Sequence, residues 1–329
     1  MMILAGDIGG TMTRLALFRL EDKRPRLVLK KTYPSAQHAG LTELVIRFAK
    51  ECGHDVDCAG FGVPGPVIQG QAKTTNLPWH VDAADLAHAL HLRQVGLIND
   101  LEAHAHGLEA LTAGDFAVLN PGLPGATGNA AVMAPGTGLG EAGLYWDGTR
   151  RHPFSCEGGH ADFAPRNALE IELLRYLLDR YAHVSYERVV SGPGLHNIYC
   201  FLRDTGHGTE RPEVAEAMRS EDPPAVISQA ALEGRCALCG QALDMLVSLF
   251  GAEAGNLALK IMATGGIYIG GGIAPRIIQR LKEAEFMAAF SSRGRMTQLL
   301  QGIPMRVILN PDTPLLGAAL FAARHAVLL

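Results

Sequence analysis

Met2-Ile-Leu-Ala-Gly-Asp-Ile-Gly-Gly-Thr11, then Met12, then Thr13-Arg-Leu-Ala-Leu-Phe-Arg19, is the stretch that decides the fold class. Two apolar runs joined by a glycine-rich turn predict a β-hairpin. In such a turn the missing Cβ atoms let backbone N–H groups approach a ligand closely. The chain writes the same arrangement again: Ala130-Ala-Val-Met133, then Pro135-Gly-Thr-Gly-Leu-Gly140, then an apolar run to Tyr145. This echo suggests two domains built on one plan. Further strands are predicted at 27–32, 58–63, 95–98, 115–119, 267–269 and 305–309. Helices are predicted at 41–52, 83–90, 101–111, 168–181, 194–202, 211–219, 227–250, 276–282 and 315–327. Strands alternating with helices place the chain in the α/β class.

The 329 residues, 48% hydrophobic and 19% charged, fit a globular chain of two domains. A net charge of −4 is too weak to mark a nucleic-acid partner. The first residues have no basic run ahead of an apolar core, so no signal peptide is expected. The apolar stretch 242–274 is interrupted by Asp244, Glu253 and Lys260, so no membrane span is expected there. Cys52, Cys58, Cys156, Cys200, Cys236 and Cys239 are scattered and read as reduced thiols of a cytoplasmic protein. Cys236-Ala-Leu-Cys239 lacks a second ligand pair for zinc and reads as core packing within the 227–250 helix. His104 and His106, two apart on a helix, do not share a face and read as surface residues.

Three glycine clusters, Gly6–Thr11, Gly136–Gly140 and Gly265–Gly272, adjoin predicted strands and together point to a nucleotide phosphate site, with three ordinary tight turns as the plainer reading. Asp7 is placed to hold magnesium directly or through water. A P-loop is excluded, because no Lys-Ser or Lys-Thr closes a glycine run. Gly138-Leu-Gly140-Glu-Ala-Gly143 fits the dinucleotide fingerprint by letters, but that motif must open a helix and Leu144-Tyr-Trp146 reads as a strand.

Asn99-Asp100 follows an apolar strand and precedes a helix. There a carboxylate can accept a proton from an attacking alcohol, and equally an Asn or Asp can simply cap the helix. Glu157-Gly-Gly-His160 offers acceptor and donor groups suited to a polyhydroxylated ligand, a metal or a solvated loop. Glu187, ahead of Ser191-Gly-Pro-Gly194, reads by itself as a surface residue.

Seven segments in order carry a resemblance: Gly6–Thr11, Thr75-Asn-Leu-Pro-Trp79, Asn99-Asp100, Ala134–Gly140, Glu157–Pro165, Glu187–Gly194 and Gly265–Ile273. With them the chain resembles the bacterial glucokinases, in the hexokinase-like branch of the actin/Hsp70/sugar-kinase superfamily. The resemblance implies a two-domain actin-like ATPase (ribonuclease H-like) fold with the active site in the interdomain cleft. It implies transfer of the γ-phosphoryl of ATP to the 6-hydroxyl of glucose, with Mg²⁺. Asp100 matches the family's general base. Asn99, Glu157, His160 and Glu187, with Asn76 in support, match the sugar-binding set. Gly6, Asp7, Gly9, Gly10 and Thr11 match the first phosphate turn and its magnesium, Thr137 and Gly138 the second, and Gly271 and Gly272 the adenosine-side turn.

The same resemblance suggests a small domain at 1–110 plus 301–329, a large one at 111–300, and a homodimer. Met12-Thr13 departs from the family's usual Asn and small residue after the first turn. The related ROK group has a cysteine-rich zinc motif after its sugar-binding histidine. Here Ala161-Asp-Phe-Ala-Pro165 stands in that place, which disfavours a zinc site. A kinase for mannose or an amino sugar is the nearest rival. A sugar-sensing regulator would need a DNA-binding module, and the chain begins directly at its first strand.

Overall fold

A computed structural model of the chain describes residues 1–74 and 77–327, in two units. The first comprises Met1–Asp115, Pro153–Ser155 and the segment from Asn310. The second comprises Phe116–His152 and Cys156–Leu309.

Unit 1 opens with β1 (Met2–Ile8), β2 (Met12–Glu21) and β3 (Arg24–Pro34), an antiparallel meander. After α1 (Leu41–Cys52) come β4 (Cys58–Val63), the short hairpin β5 (Gln71–Lys73) and β6 (His80–Asp82), and α2 (Ala83–Leu90). Then follow β7 (Gly96–Asn99) and α3 (Asp100–Gly107). The main sheet has the order β3-β2-β1-β4-β7, with β1, β4 and β7 parallel. Every residue of β4 is buried, as a parallel strand covered on both faces requires. Leu41, Leu44, Val45 and Phe48 form the apolar stripe of α1 and pack with Leu4, Ile8, Leu15 and Leu17 from one sheet face.

Unit 2 begins with β8 (Phe116–Asn120), β9 (Ala130–Pro135), β10 (Leu139–Trp146) and β11 (Arg151–Cys156). Helices α4 (Ala168–Leu178), α5 (Gly192–Asp204), α6 (Pro212–Ser220), α7 (Pro223–Leu232) and α8 (Ala237–Ile261) follow. The unit closes with β12 (Gly266–Ile269), α9 (Ile278–Leu281), α10 (Ala284–Ser291), α11 (Thr297–Gln301) and β13 (Met305–Ile308). Its sheet runs β11-β10-β9-β12-β13-β8. Counted from the first hairpin strand, both sheets have the order 3-2-1-4-5, so the repeated hairpin is a repeated plan. The last helix, α12 (Thr313–Val327), returns to unit 1. Its Leu315, Ala318, Ala319 and Ala322 cover Ile3, Ala5, Ala16 and Phe18 on the second face of that sheet.

Three expectations are corrected. The predicted 227–250 helix is two helices, broken at Gly234, which takes a left-handed φ of +65°. Cys236 then caps α8, its Sγ accepting from Cys239 N at 3.4 Å, and both thiols are buried. The predicted 276–282 helix shrinks to one turn, α9, while α10, α11 and β11 carry no periodicity strong enough to announce them. His106 is no surface residue: it is 8% exposed, its ring centroid 5.3 Å from that of Phe321, and burial pushes its pKa down to about 4. Helix α8 is long and apolar enough to cross a membrane by length and composition, but it is mostly buried in the unit 2 core.

Candidate active site

Parallel strands end together, and ligands of open α/β sheets bind at such carboxyl ends. In unit 1 the register aligns Asp7 with Gly62 and Val63 with Asn99 at that edge. Asn99 ends β7 and caps α3: its Oδ1 accepts from Leu101 N (2.9 Å) and Glu102 N (3.3 Å), and its Nδ2 donates to Gly65 O (3.1 Å). Its capping role is therefore met in full. Asp100 is the first residue of α3, where the helix N-terminus favours a carboxylate, and its Oδ1 accepts from Leu101 N at 2.9 Å. One turn on, the His104 ring sits 3.3 Å from Asp100 O, and burial lowers its pKa against the opposing charge of Asp7.

The tip of β1–β2 holds Gly9, Gly10 and Thr11, with Gly9 N donating to Met12 O at 3.0 Å. Ser35 Oγ donates to Gly9 O (2.8 Å) and lies 2.9 Å from Thr13 Oγ1, so the unusual Thr13 braces the turn from behind. Gly6 is not part of this turn. It lies inside β1, where a Cβ would overlap the Phe61 ring and press on Leu15, so its smallness serves packing. Asp7 is also within β1, and its Oδ2 accepts from Arg14 Nε (2.9 Å) and Nη2 (2.5 Å). Arg14 further donates to Pro311 O at 2.7 Å. Arg14 went unnoticed in the sequence, although a hairpin with this tip pairs residue 7 directly with residue 14.

In unit 2 the tip of β9–β10 is Gly136-Thr137-Gly138, and Gly192 N at the start of α5 donates to Gly136 O at 2.9 Å. Glu187 is half-buried against this turn, contrary to its surface reading. Its Oε2 accepts from Leu139 N at 3.0 Å, and a Cβ on Gly138 would overlap that carboxylate. Glu157 and His160 flank a short 3₁₀ turn, Gly158–His160, with His160 Nε2 4.0 Å from Glu157 Oε2 and both side chains more than half exposed. Two backbone bonds tie their loop to the Glu187 segment: Phe163 N to Val184 O (2.9 Å) and Tyr186 N to Ala161 O (3.0 Å). Thr137, Gly138, Glu157, His160 and Glu187 are thus assembled around the start of β10. Gly271, at the end of β12, has φ +78°, and a Cβ there would overlap Pro135 O, so only glycine lets the third turn lean on the second. Gly272 beside it faces open space. Asn76 lies outside the described residues.

Among the described residues no group of three or more His, Cys, Asp and Glu is placed to hold a metal ion. Unit 1 offers a tight turn with backbone donors and a carboxylate at a helix start; unit 2 offers a second such turn and acceptors suited to hydroxyl groups.

A family model described as Glucokinase matches residues 4–325. The chain is 41% identical to the glucokinase of Nostoc punctiforme, over 98% of this chain and 99% of that one. Among solved structures it is similar to a glucokinase from an Antarctic psychrotroph, 34% identical with a TM-score of 0.84, over 98% of this chain and 99% of that one. It also shares its fold with a ROK family glucokinase from Streptomyces griseus in complex with glucose and AMPPNP, at 20% identity and a TM-score of 0.68, over 98% and 100% of the two chains. This is the two-domain actin-like ATPase fold, written here in two sheets of one strand order. A family model spanning nearly every residue, and high identity along the whole length of a relative, converge on one statement: the chain belongs to the glucokinase family.

Proposed function

We propose that this protein is an ATP-dependent glucokinase that transfers the γ-phosphoryl of ATP to the 6-hydroxyl of glucose, the first step of glycolysis. The observation that carries this reading is the 41% identity to a glucokinase along essentially the full length of both chains. Asp100 takes the proton of the 6-hydroxyl as the hydroxyl oxygen attacks phosphorus. Glu157, His160 and Glu187 hold the other sugar hydroxyls, each acceptor or donor fixing one orientation of the ring. The tips at Gly9–Thr11 and Gly136–Gly138 offer N–H groups to phosphate oxygens, and Gly271-Gly272 leaves room beside them for the nucleoside.

Asp7 fits a magnesium ion by its chemistry: a hard carboxylate oxygen is what Mg²⁺ takes, beside water and phosphate oxygens. Arg14 holds Oδ2, and among the described residues none donates to Oδ1. Bound with ATP, magnesium would offset phosphate charge at this edge. The same proposal includes a homodimer in the cytoplasm, which light scattering of the purified protein and cell fractionation would check.

The deciding experiment is Mg·ATP-dependent turnover on glucose, mannose, fructose, glucosamine and N-acetylglucosamine, with a no-sugar control and ³¹P NMR of the product. Glucose 6-phosphate as the main product is expected. Turnover confined to another sugar would reassign the pocket, and turnover on none of them would sink the reading.

A further inference from the structure

Behind the loop that carries Glu157 and His160 lies a buried group of charges that phosphoryl transfer does not use. Glu141 on β10 is 2% exposed and Glu253 on α8 is 0% exposed. Oε1 of each has no hydrogen-bond partner among the described residues. The cations near them stand on the Glu253 side: Lys260 Nζ, on a half-exposed side chain, is 3.6 Å from Glu253 Oε1, and Arg293, whose Nη2 donates to Ala252 O at 2.6 Å, acts on Glu253 from farther off. Among the described residues no cation comes within ion-pair distance of Glu141, so a negative charge there is left uncompensated, and an unpaired charge at that depth is costly enough to be neutralised by a proton. Glu253 has the better support for its anion, from Lys260 and from Asn256 Nδ2 at 2.8 Å from Oε2. Burial and then the charge of Glu253 push the Glu141 carboxyl up to about 8, with Lys260 opposing. Burial likewise raises Glu253.

Position ties this pair to the sugar side. A Cβ on Gly158 would overlap Glu141 Oε2, and one on Gly159 would overlap Leu139 O, so the loop rests directly on β10 with the Glu141 carboxyl as its floor. The charged and titratable groups around the pair are Lys260 from α8, Arg293 after α10, and Cys156 from β11, on which Glu157 of the loop also acts; Tyr186 joins through Glu253 and Asn256. Burial raises the Cys156 thiol above its ordinary 9.

We propose that Glu141 and Glu253 hold one proton between them, and that the neutral Glu141 carboxyl seats Gly158, which makes Glu141 a positioning residue for Glu157 and His160 in sugar binding. The inference rests on the glucokinase reading above. Ionising Glu141 places a second anion under a loop that already carries Glu157, so the loop shifts and glucose is held less well. Chemistry at the phosphate is left alone.

The test measures KM for glucose and kcat from neutral pH to well above 8 in the full-length protein. Wild-type KM is expected to rise about fivefold as Glu141 ionises, while kcat holds. Glu141→Gln, a permanently neutral group of the same shape, should keep a low KM across the window. Glu253→Gln removes the rival charge and should move the rise to lower pH, which keeps the test available if Glu141→Gln fails to fold. Superimposable KM profiles for the wild type and both variants would overturn the proposal. Infrared difference spectra at neutral pH read the proton without turnover: a protonated-carboxyl C=O band lost in Glu141→Gln supports the shared proton, and its absence from the wild type refutes it. A wild type that shows the band but phosphorylates no glucose would refute the kinase reading and not the shared proton.

Discussion

Counted outward from each tip, the third pair of the unit 1 hairpin is Gly6 with Leu15, and that of the unit 2 hairpin is Met133 with Glu141. One plan thus puts an apolar plug in the first sheet and a buried acid in the second. The charges follow the same division. Unit 1 keeps Asp7 part-exposed in a balanced network in which Arg14 and Lys30 meet Asp7 and Asp312, whereas unit 2 seals Glu141 and Glu253 away, with cations on the Glu253 side only. Topology therefore fixes where a side chain points but not whether its charge is paired. A part-exposed pair contributes little to stability and is easily opened. A sealed pair responds to pH, since burial opposes the charged form.

The largest effect expected from this division is on the chemical step, which unit 1 carries. Asp100→Asn should lower kcat by about 10²- to 10⁴-fold with little change in KM for glucose. A near-normal kcat in steady-state assays would remove Asp100 from its role.

The next effect contrasts the two units by pH. Unfolded His106 takes its proton near the ordinary 6.5 and the folded group only near 4, so its contribution is whole above 6.5 and is lost as pH falls toward 4. Glu141 runs the other way: the folded carboxyl keeps its proton to about 8 and the unfolded one only to 4.5, so its contribution is whole below 4.5 and declines as pH rises to about 8. At about 1.36 kcal/mol per pKa unit, the span is on the order of 3 kcal/mol for His106 and about 5 kcal/mol for Glu141. Urea midpoints measured on both sides of neutrality should become less acid-sensitive in His106→Gln and less alkali-sensitive in Glu141→Gln. Unchanged slopes would break the contrast.

Gly158→Ala comes third. Its Cβ has no room above Glu141, so a loss of about 1–3 kcal/mol is expected. KM for glucose should rise while KM for Mg·ATP stays put, and an equal rise in both would argue against a separate sugar loop. The smallest effect is at the surface of unit 1: Lys30→Ala removes a pair with Asp312 at 2.7 Å and should cost below about 1 kcal/mol in thermal unfolding.

Most of the framework was legible because it rests on local rules. The two hairpins, the strand reading of Leu144-Tyr-Trp146 inside a false dinucleotide motif, and α1 over 41–52 all follow from periodicity and turn chemistry. The break between α7 and α8 is invisible to periodicity because apolar spacing carries across Gly234, while backbone geometry does not. Sequence spacing alone groups Gly6 with the turn glycines Gly9 and Gly10; only the ring of Phe61, from a strand far along the chain, shows that it serves packing.

By itself the sequence determined the α/β class, the twin hairpins and the family, since these depend on order and spacing along the chain. Tertiary structure alone decided the environment of each charge: that Asp7 meets Arg14, that Glu187 lies on the second turn, that His106 is buried, and that Glu253 has a lysine beside it while the buried Glu141 has none. The reason is physical. Burial and pairing are set by which distant segments come within a few ångströms, and a carboxylate carries the same letter whether water or a helix surrounds it.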